Sequence, residues 1–141
     1  MTRLIQRIII HCSATKPGQS CNAEIIDKWH KEKGYKCIGY HYVILPDGTI
    51  EKGRDEQEKG SHCLGYNNDS IGICYVGGLN KNGKPEDTRT PEQKETLKNL
   101  IKDICSRYKI KDIAGHCDYS NKACPCFNVK EEFNNHEYKK D

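Results

Sequence analysis

The sequence predicts an α/β protein, a single domain in which a central mixed β-sheet is flanked by helices. Three observations predict it. The chain has 141 residues, enough for one hydrophobic core and too few for two comfortable ones. β-branched runs alternate along it with segments whose apolar residues recur at helical spacing. A Pro-Asp-Gly turn also joins two strand-like segments into a hairpin, and interleaving of this kind belongs to the α/β class.

Taken in order, the run Leu4 to Ile10 is interrupted by Gln6 and Arg7, but its Ile8-Ile9-Ile10 centre reads as a strand buried on both faces and ending at His11. After the loop "SATKPGQSC", residues Asn22 to Lys33 carry Ile25, Ile26 and Trp29 at helical spacing, with Asn22 as cap and Gly34 as stop. Trp29 reads as the helix's anchor in the core. "YHYVILPDGTIEKG" predicts paired strands over Tyr42 to Leu45 and Thr49 to Lys52. The stretch from Arg54 to Ser70 is long, polar and rich in Gly, Asn and His, so it is expected to be a binding loop.

A central strand follows from Ile71 to Val76, closed by Gly77-Gly78. Thr90-Pro91-Glu92-Gln93 then supplies a cap, a first-turn proline and a capping-box partner. Leu97, Leu100, Ile101, Ile104, Cys105 and Tyr108 line one face of the helix it opens. A short strand from Lys111 to Ala114 leads into Gly115-His116. A short helix from Val129 to Asn134 and a charged tail over 136–141 complete the chain, all within one domain whose core spans about 4–135.

Composition excludes several classes. A formal net charge of +3 is too small for a nucleic-acid footprint, and no run approaches the ~18 apolar residues of a membrane span. The start "MTRLIQRIIIHC" lacks the apolar core and cleavage site of a signal peptide, so synthesis in the cytoplasm is expected. Nine cysteines would suit a disulfide scaffold, but the number is odd and there is no secretion signal. Mostly reduced thiols are therefore expected, with Cys74 and Cys105 buried in place of aliphatic residues and one or two others on a metal.

Chemistry concentrates in "HCDYSNKACPCF", residues 116 to 127. Only a proline separates Cys124 from Cys126, which is poor spacing for a structural zinc knot and poor geometry for a disulfide. No Cys-x-x-Cys motif supports a redox pair. One wall of an active site remains. His11 and His116 each stand at a strand end, and together with one nearby cysteine they could make a three-ligand zinc site with an open fourth position. On the residues alone, two hydrogen-bonded structural histidines account for the pattern equally well.

Taken together and in order, "IIIHCSAT", "GYHYVILPDGTIEKGRD", "GSHCLGYNNDSIGICYVGG", "TPEQ" and "HCDYSNKACPCF" resemble the zinc-dependent N-acetylmuramoyl-L-alanine amidases of the type 2 family, particularly its compact phage lysozymes. Peptidoglycan recognition proteins share that fold. The resemblance runs from Arg7 to Phe127. It implies one zinc ion per chain on His11, His116 and Cys124, with Tyr40 and Lys122 as catalytic donors. It also implies hydrolysis of the amide between N-acetylmuramic acid and L-alanine in peptidoglycan, in phage or prophage lysis or, as a second setting, bacterial wall recycling; a monomer is expected. A separate permeabilising protein would then give access to the wall.

The alternative in that superfamily is a recognition module that keeps the groove but loses a ligand, and the presence of all three candidates argues against it. His62 and Asn67, in the long polar loop, are expected on the substrate-facing rim. His41 is expected to be structural, and His30 and His136 exposed. Cys12, Cys117 and Cys126 crowd the expected centre. Cys126 is an alternative third ligand, but Cys124 keeps the family's offset from His116 and Lys122.

Overall fold

A computed structural model describes residues 3–133 and 138. Its elements run β1 (Arg7–Cys12), α1 (Ala23–Glu32), β2 (Tyr42–Ile44), β3 (Ile50–Lys52), β4 (Ser70–Tyr75), α2 (Pro91–Arg107), β5 (Asp112–Gly115) and α3 (Val129–Phe133). Among the described residues the strands form one five-stranded sheet in the order β3-β2-β4-β1-β5. The β2–β4, β4–β1 and β1–β5 pairs are parallel, and the β2–β3 hairpin is antiparallel. The mixed sheet expected from the hairpin and the interleaved helices is the one observed.

β1 and β4 occupy the interior of the sheet, and Ile8, Ile9, Ile10, Ile71 and Ile73 are completely buried. Alternation along the strands divides their side chains between two cores. Ile8, Ile10, Ile44, Ile71, Ile73 and Tyr75 meet Leu97, Leu100, Ile101 and Ile104 of α2, and Val129 and Phe133 of α3. On the opposite face Val43, Cys74 and Val76 meet Ile26 and Trp29 of α1. Trp29 is half-buried and packs against this core, whose fully buried residue from α1 is Ile26.

Local signals account for the ends of the elements. The Asn22 side chain accepts the Ile25 N–H at 2.9 Å. Thr90 and Gln93 form the reciprocal capping box, each backbone N–H 3.0 Å from the other's side-chain oxygen. Gln93 also donates to the carbonyls of Ile44 and Val76, so the cap of α2 is bolted to β2 and β4.

Most element ends lie within a residue of the sequence reading, and β1 differs from it at both ends. β1 begins at Arg7 because both of its partners begin pairing there, Ser70 in β4 and Asp112 in β5. Leu4 lies outside the strand and is exposed. At the other end β1 does not stop at His11 but carries both His11 and Cys12, paired with Cys74 and Tyr75. His136 and most of the charged tail lie outside the described residues. No helix among the described residues is long and apolar enough to cross a membrane.

Candidate metal centre and cleft

The parallel strands point their carboxyl ends to one edge of the sheet, where side chains from separate strands converge. His11 arrives there on β1 and is buried. His116 follows Gly115, the last residue of β5, in a 3₁₀ turn. That turn is fixed by the Asp118 carboxylate, which accepts the Gly115 N–H at 2.8 Å.

Cys124 comes from the loop beyond. The loop is folded back by the Cys117 N–H on the Cys124 carbonyl at 2.7 Å and the Tyr75 hydroxyl on the Pro125 carbonyl, also at 2.7 Å. Gly115 permits this close approach, because a side chain there would place its Cβ 2.7 Å from the Pro125 ring. The Cys124–Pro125 peptide is cis.

His11, His116 and Cys124 each present one ligand atom, and the three atoms lie within 4.8 Å of one another. His11 Nδ1 faces Cys124 Sγ at 3.9 Å. Nitrogen and sulfur ligands of one tetrahedral zinc stand about 3.6 Å apart, given ordinary bond lengths, so this pair is close to the separation an ion would require. The state of the ligands also suits a cation. Burial, helped by the neighbouring His62 and His116, holds His11 well below the usual histidine range, and burial followed by the Lys122 charge lowers His116. Both imidazoles are therefore neutral and able to ligate at neutral pH. The Cys124 sulfur receives the Cys12 backbone N–H at 3.1 Å, which fixes the position of the sulfur beside β1.

Cys12, Cys117, Cys124 and Cys126 are all free thiols. Cys126 turns away, donating to the Gly78 carbonyl at 3.3 Å, and burial pushes its thiol up to about 11. Cys12 is raised by its contact with Cys124 and by burial. The geometric triad is the one expected from sequence, with Cys126 outside it.

A cleft of about 560 Å³ opens beside His116, the member of the triad that lines it, and its walls include Lys122, Tyr119, Ser120, His62, Asn67, Leu64 and Tyr35. Lys122 is exposed on its wall. Tyr40 packs behind His11 with ring centroids 4.9 Å apart, and its hydroxyl engages the Cys74 thiol. Burial raises the phenol's pKa well above its ordinary value, so Tyr40 stays protonated.

Asn67 borders the cleft, but its side-chain oxygen accepts the backbone N–H groups of His62 and Cys63, both at 2.9 Å, which pins the long loop. His62 reaches inward, with Nδ1 2.8 Å from His11 Nε2. His41 is wholly buried, its Nδ1 accepting the Gly72 N–H at 3.0 Å and its Nε2 donating to the Glu58 carbonyl at 2.8 Å, in keeping with a structural role. His30 contradicts the expected exposure. It is buried and accepts the Gly39 N–H at 2.8 Å through Nδ1. It lies four residues after Ile26 on the inward face of α1, and that spacing outweighs the charged residues beside it in sequence.

The sequence reading missed Tyr119 and Ser120 as parts of the cleft wall, although both lie between His116 and Lys122. Tyr119 is held by stacking on Tyr66 at 4.0 Å, by the Arg7 guanidinium at 2.7 Å from its hydroxyl, and by Asp112.

Comparison with known proteins identifies the family. The profile of the family described as N-acetylmuramoyl-L-alanine amidase matches residues 1–127. An endolysin of Enterobacteria phage T3 is 45% identical over 125 residues, covering 89% of this chain and 83% of the relative. An endolysin of Escherichia phage T7 is 45% identical over 123 residues, covering 87% and 82%. Among solved structures, the N-acetylmuramoyl-L-alanine amidase LysC from Clostridium intestinale URNW superposes with a TM-score of 0.79 at 31% identity, covering 92% of this chain and 82% of that one.

Proposed function

Because the chain belongs to the N-acetylmuramoyl-L-alanine amidase family and is a lytic peptidoglycan amidase, we propose that it works with one zinc ion held by His11, His116 and Cys124. The observation that carries this reading is the convergence of three ligand atoms within 4.8 Å, contributed by β1, the turn after β5 and the loop beyond it, with His116 of the three lining a cleft.

Bound there, zinc supplies a Lewis acid that polarises the scissile carbonyl and makes a nucleophile available from water near neutral pH. The protein's own groups do the rest. Lys122, on the cleft wall beside His116, carries the charge that balances the developing oxyanion. Tyr40, kept protonated by burial, provides a second donor once its hydroxyl leaves Cys74 for the substrate. The rim formed by His62, Asn67 and Tyr119 takes the muramoyl peptide. The enzyme acts as a monomer and reaches the wall after a separate protein permeabilises the membrane.

Digestion of purified peptidoglycan followed by mass analysis tests the reading. Free stem peptides beginning at L-alanine, with glycan strands left intact, are expected from the zinc-loaded protein. Retention of the protein on undigested peptidoglycan would instead mark a recognition module, and equal release by the chelated protein would remove zinc from the mechanism.

A further inference from the structure

His62 was expected at the rim, yet its two ring nitrogens are committed inward. Nδ1 lies 2.8 Å from His11 Nε2, and Nε2 lies 3.1 Å from the Ser70 hydroxyl at the start of β4. The rings of His11 and His62 meet edge to face, 4.9 Å apart at 86°.

The place for this ring is built into the sheet. Gly72 sits in the middle of β4, where glycine weakens a strand, and a Cβ there would lie 2.8 Å from the His62 imidazole. Gly60, on the loop side, would bring a Cβ to 2.7 Å of the same ring. The absence of a side chain at both glycines leaves the space that the imidazole occupies. Asn67 fixes the mouth of that space by holding the backbone N–H of His62.

We infer that His62 is a positioning residue that sets the tautomer and the angle of His11, so that Nδ1 of His11 is the atom offered to the metal. The inference rests on the metal site proposed above. Each proton in the row then has one place. His11 uses Nδ1 toward Cys124 and the ion, so its proton sits on Nε2 and is donated to His62 Nδ1. His62 in turn carries its proton on Nε2 and donates it to Ser70 Oγ. The opposite arrangement would place a proton on the His11 nitrogen that faces the ion and abolish ligation. A metal-bound imidazole whose second N–H has a fixed acceptor is oriented and made a better donor, an effect worth roughly 10–100-fold in metal affinity.

The test combines zinc affinity, measured by chelator competition, with ring-nitrogen NMR of the zinc-free full chain. His62→Ala is expected to weaken zinc binding roughly 10–100-fold and to turn His11 from the Nε2–H tautomer into a mixture of the two. His62→Gln, whose amide both accepts and donates, is expected to restore most of the affinity, a rescue that simple cavity filling would not give. If His62→Ala fails to fold, Ser70→Ala replaces it and is expected to release the Nε2–H preference of His62 in the same spectra. Zinc affinity unchanged in His62→Ala, or His11 carrying its proton on Nδ1 in the wild-type chain, overturns the inference. A wild-type chain that binds no zinc overturns the proposed metal site instead, and the tautomer measured on the zinc-free protein still decides the role of His62.

Discussion

The backbone N–H of Cys12 points at the sulfur of Cys124 from 3.1 Å, across 112 residues of chain. The Cys124 sulfur accepts a main-chain donor, whereas Cys126, two residues on, donates its own proton to Gly78. The two thiols of "CPC" are thus already differentiated by what they touch. Cys124→Ser and His11→Ala are expected to abolish stoichiometric zinc, while Cys126→Ser keeps one ion per chain. Elemental analysis after exhaustive dialysis measures this, and loss of metal in Cys126→Ser alone would move the third ligand to that position.

Lys122 and Tyr40 are expected to separate metal binding from turnover. Neither is among the clustered ligand atoms, so Lys122→Ala and Tyr40→Phe should retain zinc. Loss of one oxyanion donor typically lowers kcat about 10²–10³-fold. Release of stem peptides by each zinc-loaded variant measures the effect. The Tyr40 result is the more discriminating because its hydroxyl rests on Cys74. Wild-type turnover in Tyr40→Phe would reduce that tyrosine to a packing residue behind His11.

These contacts also indicate what could be read from sequence. The isoleucine run, the Pro-Asp-Gly turn and the Thr90–Gln93 box are local signals, and each produced its element because local propensity and burial agree there. The three candidate ligands were legible because they stand at fixed offsets in motifs that the family resemblance covers. The inward turn of His62 was not legible, since it depends on a space left by Gly60 and Gly72 that exists only once the loop folds over β4. His30 was misread for a related reason. Its neighbours in sequence are charged, but its neighbours in space are Tyr35, Tyr40 and the Gly39 N–H.

Buried neutral histidines should make the zinc-free fold sensitive to mild acid. Burial lowers both His30 and His41 to about 4, against about 6.5 in the unfolded chain. Below 6.5 the unfolded state binds the extra protons, so stability is complete above that value and falls as the pH drops from 6.5 toward 4. The loss amounts to on the order of 2 kcal/mol for each histidine by pH 5. His11 and His62, also lowered by burial, add in the same direction. Urea midpoints of the zinc-free protein at pH 7 and pH 5 measure the slope. His41→Gln should be less stable at pH 7 yet flatten the slope by about one proton. An unchanged slope would mean that His41 is already accessible to protons in the fold.

Arg89 clamps the Cys124 loop from behind. Its side chain is 2% exposed and makes two forked contacts, with Asp87 at 2.9 and 3.0 Å and with Glu132 of α3 at 2.9 and 2.8 Å. Its guanidinium carbon also lies 3.4 Å from the centre of the Phe127 ring, three residues beyond Cys124. One planar cation thereby joins the loop before α2, the loop carrying Cys124, and α3. The two carboxylates remain partly exposed, at 29% and 41%, so solvent recovers part of what they lose when the arginine is removed. Arg89→Met is therefore expected to destabilise by about 2 kcal/mol, below the range for breaking a fully buried pair. It should also weaken zinc binding, because the Phe127 end of the loop is released. Arg89→Lys retains the charge but cannot form two planar forks or stack on Phe127 in the same way, so it should recover only a fraction of both properties. Urea unfolding and chelator competition on the two variants decide the matter, and full recovery in Arg89→Lys would show that charge alone secures the loop.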